Sequence, residues 1–127
     1  MDRKKGVRGQ SLAEFAIVAS LLILIMLGVF DLGRVFYSYV VITNAAREGA
    51  YYGGMHPDDY AGIRRNALME AQGSGITLAP TDVAISGSMD SGFPKAVCVR
   101  YDFSLLTSFL PGGRVIHLKS CAQMVIY

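Results

Sequence analysis

The chain has 127 residues, which is enough for one small domain but not comfortably for two. Hydrophobic residues make up 52% and charged residues only 17%, against about 25% charged residues in an ordinary soluble domain. This composition excludes a disordered or acidic tail protein, and the net charge of +2 is too small to indicate nucleic-acid binding. With only two Cys, a disulfide-dense scaffold is excluded as well. A membrane anchor followed by a small domain fits best.

The net positive charge of the chain comes from residues 1–9, which hold four basic residues and one acidic residue and leave eight basic against nine acidic residues in 10–127. An uninterrupted apolar segment follows, from Phe15 to Phe30. As a helix these residues span about 24 Å, which is short for a membrane, so we predict a span over about 12–30 that includes Glu14. The basic residues before the span predict a cytoplasmic N-terminus and an outer C-terminal part.

The apolar segment has three other interpretations. A secretory signal peptide normally ends in small residues at a cleavage site, and no Ala-x-Ala pattern follows Phe30. A buried core helix is disfavoured because 16 uninterrupted apolar residues follow a basic cluster. An uncleaved single-pass anchor remains a serious alternative.

The helical pattern continues beyond the apolar segment. Asp31 and Arg34 are three residues apart and can pair on one helix face. Apolar residues recur at a spacing of three or four, and no Pro occurs between Met1 and His56. We therefore predict one long helix over about 11–53, and we assign residues 10–54 to the helical region of the chain.

Small residues form a row near the end of this helix. Ala45, Gly49 and Gly53 are spaced by four, which allows another backbone to approach closely. The alternative is that the glycines only weaken and end the helix. We interpret Ala45 and Gly49 as a packing face, and Gly53 with Gly54 as the helix end.

The junction from Gly9 to Phe15 carries the most information. A carboxylate at the edge of an apolar helix is costly unless it is paired, so Glu14 needs an explanation. One explanation is a capping box, in which Ser11 is the N-cap residue and Glu14 bonds back to the Ser11 amide. A second explanation comes from the residues around it.

A short basic leader, Gly9, then Glu14 and the aromatic Phe15 opening an apolar helix, is similar to a prepilin processing site. Together with Phe-Asp-Leu-Gly-Arg at 30–34 and Asn-Ala-Ala-Arg-Glu-Gly-Ala at 44–50, these residues resemble the TadE-like family, the pseudopilins or minor pilins of tight-adherence pili. The resemblance covers most of the chain; it is strong over residues 8–50 and weak, mainly a matter of pattern, from 76 to 127.

The resemblance implies cleavage by a membrane-embedded aspartic prepilin peptidase between Gly9 and Gln10, so that residues 1–9 are a leader. Gln10 departs from the Phe that many type IV pilins carry first, which weakens the expectation of N-methylation. The new amine of Gln10 could then pair with Glu14 of a neighbouring subunit. The implied partners are the peptidase, sibling pseudopilins and the pilus assembly platform. The implied location is the bacterial inner membrane, or an extracellular pilus, with homo- or hetero-oligomers formed through the helix.

Residues 55–127 predict a small outer α+β domain. A turn and N-cap signal at His56 to Asp59 precedes an amphipathic helix over about 59–72. Alternating patterns then predict three strands, over 82–86, 97–103 and 116–126. Joined in sequence, these strands form an antiparallel meander whose apolar face covers the outer half of the long helix, as in a pilin-like fold.

The two Cys test the pairing of the last two strands. If paired positions sum to 219, Cys98 lies opposite Cys121 and the apolar faces agree, but Arg100 opposes Lys119. A slip by two residues also preserves the faces and separates the Cys. Cys98 and Cys121 form either a disulfide, which an outside compartment permits, or two small buried thiols.

Enzymatic motifs are not apparent in the sequence. No nucleophile elbow or Gly-rich phosphate loop occurs. His56 with Asp58 and Asp59 could hold a metal, but close carboxylates beside a Pro are more often a helix cap. We therefore expect no catalytic residue, cofactor or metal. The favoured hypothesis is a non-enzymatic, membrane-anchored pseudopilin or minor pilin, and the alternative is an uncleaved envelope protein with a small interaction domain.

Overall fold

The computed structural model describes residues 6–87, 95–106 and 115–124. The described elements are two helices, a short 3-10 turn at Pro80–Asp82 and three strands. They are α1 (Gly6–Met55), α2 (Tyr60–Gly73), β1 (Val83–Ser86), β2 (Lys95–Ser104) and β3 (Val115–Met124). The predicted α+β fold, with a long helix, a short helix and a three-stranded antiparallel sheet, is confirmed.

Helix α1 has 50 residues and is about 75 Å long at 1.5 Å per residue. It begins at Gly6, about five residues before the predicted start. Ser11 therefore lies inside the helix and is not its N-cap residue, so the capping-box interpretation is wrong. The physical reason is that no Pro or other strong helix breaker separates Gly6 from Ser11, and the helix simply continues.

Gly53 and Gly54 do not end α1, which continues to Met55. The prediction of a helix end at these glycines is therefore wrong by about two residues. The helix stops just before His56 and Pro57, and a residue that precedes a proline is disfavoured in the helical conformation. The chain then turns, and the His56 amide still donates to the Tyr52 carbonyl at 2.9 Å.

Helix α2 runs back along α1. Its first turn is capped by Asp59, whose carboxylate accepts from the Gly62 amide at 2.8 Å, as the sequence predicted. Its far end lies beside the middle of α1, where the Tyr37 hydroxyl donates to the Ser74 carbonyl at 2.9 Å. The two helices are thus antiparallel neighbours.

The strands form an antiparallel sheet in the order β1-β2-β3. Cys98 pairs with Cys121, so the register in which positions sum to 219 is the observed one. Val97, Val99 and Phe103 are buried on the inner face, which confirms the predicted alternation. This inner face and α2 cover one side of the second half of α1 and enclose the core.

Several parts of the chain lie outside the described residues. These are most of the predicted leader, residues 88–94 and 107–114 between the strands, and the end of the third predicted strand beyond Met124. We call α2, the sheet and residues 31–55 of α1 the head. The first part of α1, residues 12–30, is called the lower half.

Candidate functional site

The lower half of α1 is exposed on all sides. From Leu12 to Phe30, the large apolar side chains that lie in the open have between 48% and 71% of their surface exposed. Helix α1 is long and apolar enough to cross a membrane, and only 6% of its most apolar window is buried inside the protein. The core helix of a soluble protein can be equally long and apolar, but it is mostly buried. The exposure therefore distinguishes this segment from a core helix.

The predicted processing junction is also exposed and helical. Gly9 and Gln10 both lie on the surface, and apart from the helix's own backbone no heavy atom of the described residues lies within 4 Å of the position that a Cβ of Gly9 would occupy. The Gln10 side-chain amide donates to the Glu14 carboxylate at 3.3 Å, within one chain. Phe15 is 70% exposed. The structure thus brings Gln10 and Glu14 together and leaves Phe15 in the open.

Asp31 marks the boundary between the lower half and the head. Its carboxylate is almost fully buried, and it accepts from the Leu106 amide at 3.1 Å and from the Arg34 guanidinium at 3.4 Å. Arg34 in turn lies over the Phe103 ring, 4.9 Å from its centre. The predicted pairing of Asp31 with Arg34 is confirmed. The contact with Leu106 was not predicted, because it joins residues 75 positions apart.

The row of small residues packs inside the head. Ala45 is fully buried, and a Cβ on Gly49 would lie 3.2 Å from Ala67 in α2 and 3.2 Å from Val97 in β2. A Cβ on Gly53 would lie 2.5 Å from the sulfur of Met124. These residues therefore let α2 and the sheet approach α1 closely. The sequence did not indicate which backbone packs against this row, and in the structure it is that of α2 and the sheet of the same chain.

The opposite face of α1 stays uncovered above Asp31. Leu32 and Phe36 are each 69% exposed, and Tyr39 is 45% exposed. Tyr39 does not lie between helix and sheet, because the sheet and α2 occupy only the side that carries Asp31 and Ala45. An apolar surface thus continues from the lower half past the base of the head.

The outer face of the sheet carries polar pairs. Cys98 and Cys121 are joined by a disulfide. Towards the base, the His117 ring and the Asp102 carboxylate lie 2.6 Å apart. Sequence reasoning missed this pair, although 102 and 117 also satisfy the register that the cysteines suggested. All these side chains are at least partly exposed, so the face is a solvated surface.

Lys95 is a buried cation that sequence reasoning also missed. Its ammonium donates to the Pro57 carbonyl at 2.8 Å and lies 5.1 Å from the centre of the Tyr60 ring. Backbone oxygen and aromatic face together replace the water that this side chain loses on burial. Lys95 therefore joins the start of β2 to the turn between the helices.

The turn between α1 and α2 holds Asp59 through several donors. The Gly62 amide and, to a smaller extent, the Tyr52 hydroxyl at 2.9 Å lower the pKa of Asp59. The same bond to Asp59 raises the pKa of Tyr52. His56 stacks on the Tyr52 ring at 4.6 Å. Among the residues that the structure describes, no group of three His, Cys, Asp or Glu could hold a metal, and Asp59 acts as a helix cap.

An exposed apolar helix with a compact α+β head on its second half fits the class of single-helix, membrane-anchored proteins with one small domain. Within this class, residues 9–50 match the family model of TadE-like proteins. The match begins at Gly9 and includes the exposed lower half, Asp31 and Gly49. The predicted resemblance to the TadE-like family is therefore confirmed over this segment. No curated protein and no solved structure matches the chain.

Proposed function

We propose that this chain is a pseudopilin or minor pilin of a tight-adherence pilus, anchored by α1 and processed after Gly9. The TadE-like match together with a long, apolar, exposed helix fits a membrane-anchored protein associated with such a pilus. One observation carries the proposal: the matched segment is the helix whose lower half is left uncovered by the described part of the chain. Lipid covers this surface before assembly, and neighbouring helices cover it afterwards.

Cleavage between Gly9 and Gln10 is supported by the exposure of both residues. A peptide bond inside a helix must leave the helix before a peptidase can hold it in an extended form. Gly9 lowers the cost of this step, since glycine weakens a helix interior by about 0.5–1 kcal/mol relative to alanine. The prepilin peptidase of the inner membrane is the proposed partner, with the N-terminus in the cytoplasm and the head outside.

Glu14 is proposed to guide assembly. In the isolated chain its carboxylate is exposed and accepts a 3.3 Å bond from the uncharged Gln10 amide. After cleavage, the amine of Gln10 in a neighbouring subunit would offer a full charge at the same depth. An ion pair in a poorly solvated bundle is favourable, and a carboxylate left alone there is penalised. The pair therefore fixes one stagger between subunits.

The role proposed here is structural rather than enzymatic. The proposed partners are sibling pseudopilins and the assembly platform, which the helix meets through its exposed face. The disulfide supports an outer location for the head, because such bonds persist in oxidising compartments. Thiol labelling of protein denatured without reductant should leave Cys98 and Cys121 unmodified, and labelling after reduction should modify both. Full labelling without reductant would contradict the outer location.

The mature N-terminus of protein taken from its native membrane tests the proposal. Intact-mass and N-terminal peptide analysis should show a chain that starts at Gln10. A chain that starts at Met1 would favour the uncleaved anchor, and a chain that starts beyond residue 30 would indicate a secreted protein. Deletion of the prepilin peptidase should convert the Gln10 start into the Met1 start.

The role of Glu14 is tested by Glu14→Ala, with Glu70→Ala in α2 as the control. Both positions are exposed glutamates on helices, but only the first lies at the proposed junction. Glu14→Ala should remain in the membrane and fail to co-purify with its sibling subunits or fail to be processed. Glu70→Ala should behave as the parent protein. Normal processing and co-purification of Glu14→Ala would remove the proposed role of this carboxylate.

A further inference from the structure

The base of the head carries an apolar rim that faces the lower half of α1. We define the lower rim as Leu32, Phe36, Leu106 and Val115, whose exposed fractions are 69%, 69%, 50% and 53%. Two of these residues belong to α1, and two belong to the facing end of the β2–β3 hairpin. The rim is built from elements far apart in sequence that meet at one height along the helix.

The height of the hairpin end is fixed by hydrogen bonding. The Leu106 amide donates to the Asp31 carboxylate at 3.1 Å, and Val115 pairs with Ser104 at the same end of the sheet. Asp31 directly follows Phe30, the last residue of the apolar run. The hairpin end therefore stands beside the first helical turn above the predicted membrane span.

Asp31 is buried because the head covers it. An exposed carboxylate on a helix surface would be hydrated at no cost. Here the head covers the carboxylate, leaving 4% of the side chain exposed and supplying a backbone amide in place of water. Such pairing is what a carboxylate at a membrane boundary requires. By reaching down to Asp31, the head also carries Leu106 and Val115 to the same depth.

We propose that the lower rim is a membrane-docking surface, which lies in the headgroup layer and seats the head on the bilayer. The rim is continuous with the exposed apolar face of the lower half, from Met26 and Val29 to Leu32 and Phe36. Phe36 stands about 8 Å above Asp31 along the helix axis, and the headgroup layer is about 5–7 Å thick on each side. The rim thus spans this layer, and Phe and Leu are the apolar residues with which interfacial helices enter the boundary between headgroups and acyl chains.

This inference rests on the membrane anchoring within the proposed function, and it adds a second contact between protein and lipid. The occupant is the bilayer proposed to surround the lower half, because Leu32 and Phe36 continue the exposed apolar face of the span and Leu106 lies at the height of Asp31. A head seated in this way cannot swing freely about α1. Extraction of the helix from the membrane must then also lift the rim from the headgroups.

The chain contains no Trp, so a single introduced Trp is a unique fluorescent probe. The experiment uses full-length protein in phosphatidylcholine vesicles whose acyl chains are brominated either near the headgroup or deep in the bilayer. The rim probes are Leu106→Trp and, in case that variant fails to fold, Phe36→Trp on α1. Met26→Trp reports on the span, and Met55→Trp is the matched control at the far end of α1. Met26, Met55 and the rim residues are all at least half exposed in the protein itself.

The rim probes should be quenched by shallow bromine several-fold more strongly than Met55→Trp, and Met26→Trp should be quenched most by deep bromine. If Met26→Trp is quenched while both rim probes match Met55→Trp, the docking surface is wrong and the anchor stands. If Met26→Trp is also unquenched, the anchor itself fails, and with it the docking surface. Rim probes that are shielded only at high protein density would show that a second copy covers the rim, which also overturns the proposal.

Discussion

The two halves of α1 differ in the size of their side chains and in what covers them. In the lower half, residues 21–26 are all large and apolar, so that they cover the whole circumference of the helix, and they stay exposed. In the head, one face of the same helix carries Ala45, Ala46, Gly49 and Ala50, which are all buried. Both halves are apolar, so hydrophobicity alone does not tell them apart.

Side-chain size explains the difference. Small residues let α2 and the sheet come within van der Waals distance of the α1 backbone, which fixes one packed arrangement inside a single chain. Large residues on every side cannot all be covered by a domain this small, so they need a bilayer or many other helices. Asp31, which accepts a hydrogen bond from the Leu106 amide, lies at the boundary between the exposed lower half and the packed head.

The largest expected effect comes from charging the lower half. The double variant Leu22→Asp with Ile25→Asp should lose its membrane association, since each aspartate near the centre of a span costs about 3 kcal/mol. The fraction that remains with membranes after alkaline extraction measures this. Met55→Asp with Met69→Asp places the same charges on exposed residues of the head and should stay in the membrane fraction. Equal extraction of the two variants would show that the lower half is not embedded.

The second effect concerns the close packing of the head. Gly49→Leu should lower the free energy of unfolding by about 3 kcal/mol, because its side chain would overlap Ala67, Val97 and the Ile63 carbonyl. Denaturant unfolding of the full chain in micelles, followed by tyrosine circular dichroism, measures this. Gly33→Leu is the control on the same helix, with no heavy atom within 4 Å of its Cβ position. A Gly49→Leu protein as stable as Gly33→Leu would contradict the observed packing.

A smaller effect is expected at the boundary. Asp31→Ala should cost about 1–2 kcal/mol, because the Leu106 amide and Arg34 lose a buried acceptor. Hydrogen exchange of the Leu106 amide should become faster. Asp58→Ala, at an exposed position beside the α2 cap, should leave this amide unchanged. Unaltered exchange in Asp31→Ala would mean that the head is not held at this height by the carboxylate.

The smallest effect is a dependence on pH at the start of α2. The bonds from Gly62 and Tyr52 lower the pKa of Asp59 from its ordinary value of 3.8. Its contribution to stability is therefore complete above about 3.8 and is lost as the pH falls through the lower folded-state pKa. Melting temperatures measured from neutral to acidic pH should show this loss in the parent protein. In Asp59→Ala this component should be missing, and a curve parallel to that of the parent would contradict it.

Local pattern was sufficient to predict most of the fold. The alternation in β2 and the cap at Asp59 both depend on neighbours within a few residues, and both are confirmed. The alternating faces of β2 and β3 left two registers open, and the one that pairs Cys98 with Cys121 is observed. In this register the numbers of paired residues add up to 219, which also places Asp102 opposite His117, so the contact between these two side chains could have been predicted from it.

Contacts between distant residues could not be predicted. The bond between Asp31 and the Leu106 amide depends on how far the hairpin reaches along α1. The burial of Lys95 likewise depends on where Pro57 and Tyr60 lie in three dimensions. The row of small residues indicated close packing, but not that α2 and the sheet of the same chain fill it. That choice is tertiary, since any backbone of suitable shape fits a row of glycine and alanine.

Oxidation of the natural methionines tests most directly whether the lower half of α1 lies in lipid while the head lies outside it. Met26, Met55 and Met69 have similar exposed fractions in the protein alone, of 71%, 57% and 62%. In membrane vesicles treated with peroxide from the side of the head, Met55 and Met69 should be converted to the sulfoxide while Met26 stays reduced. Oxidation of Met26 at the rate of the other two would contradict the account.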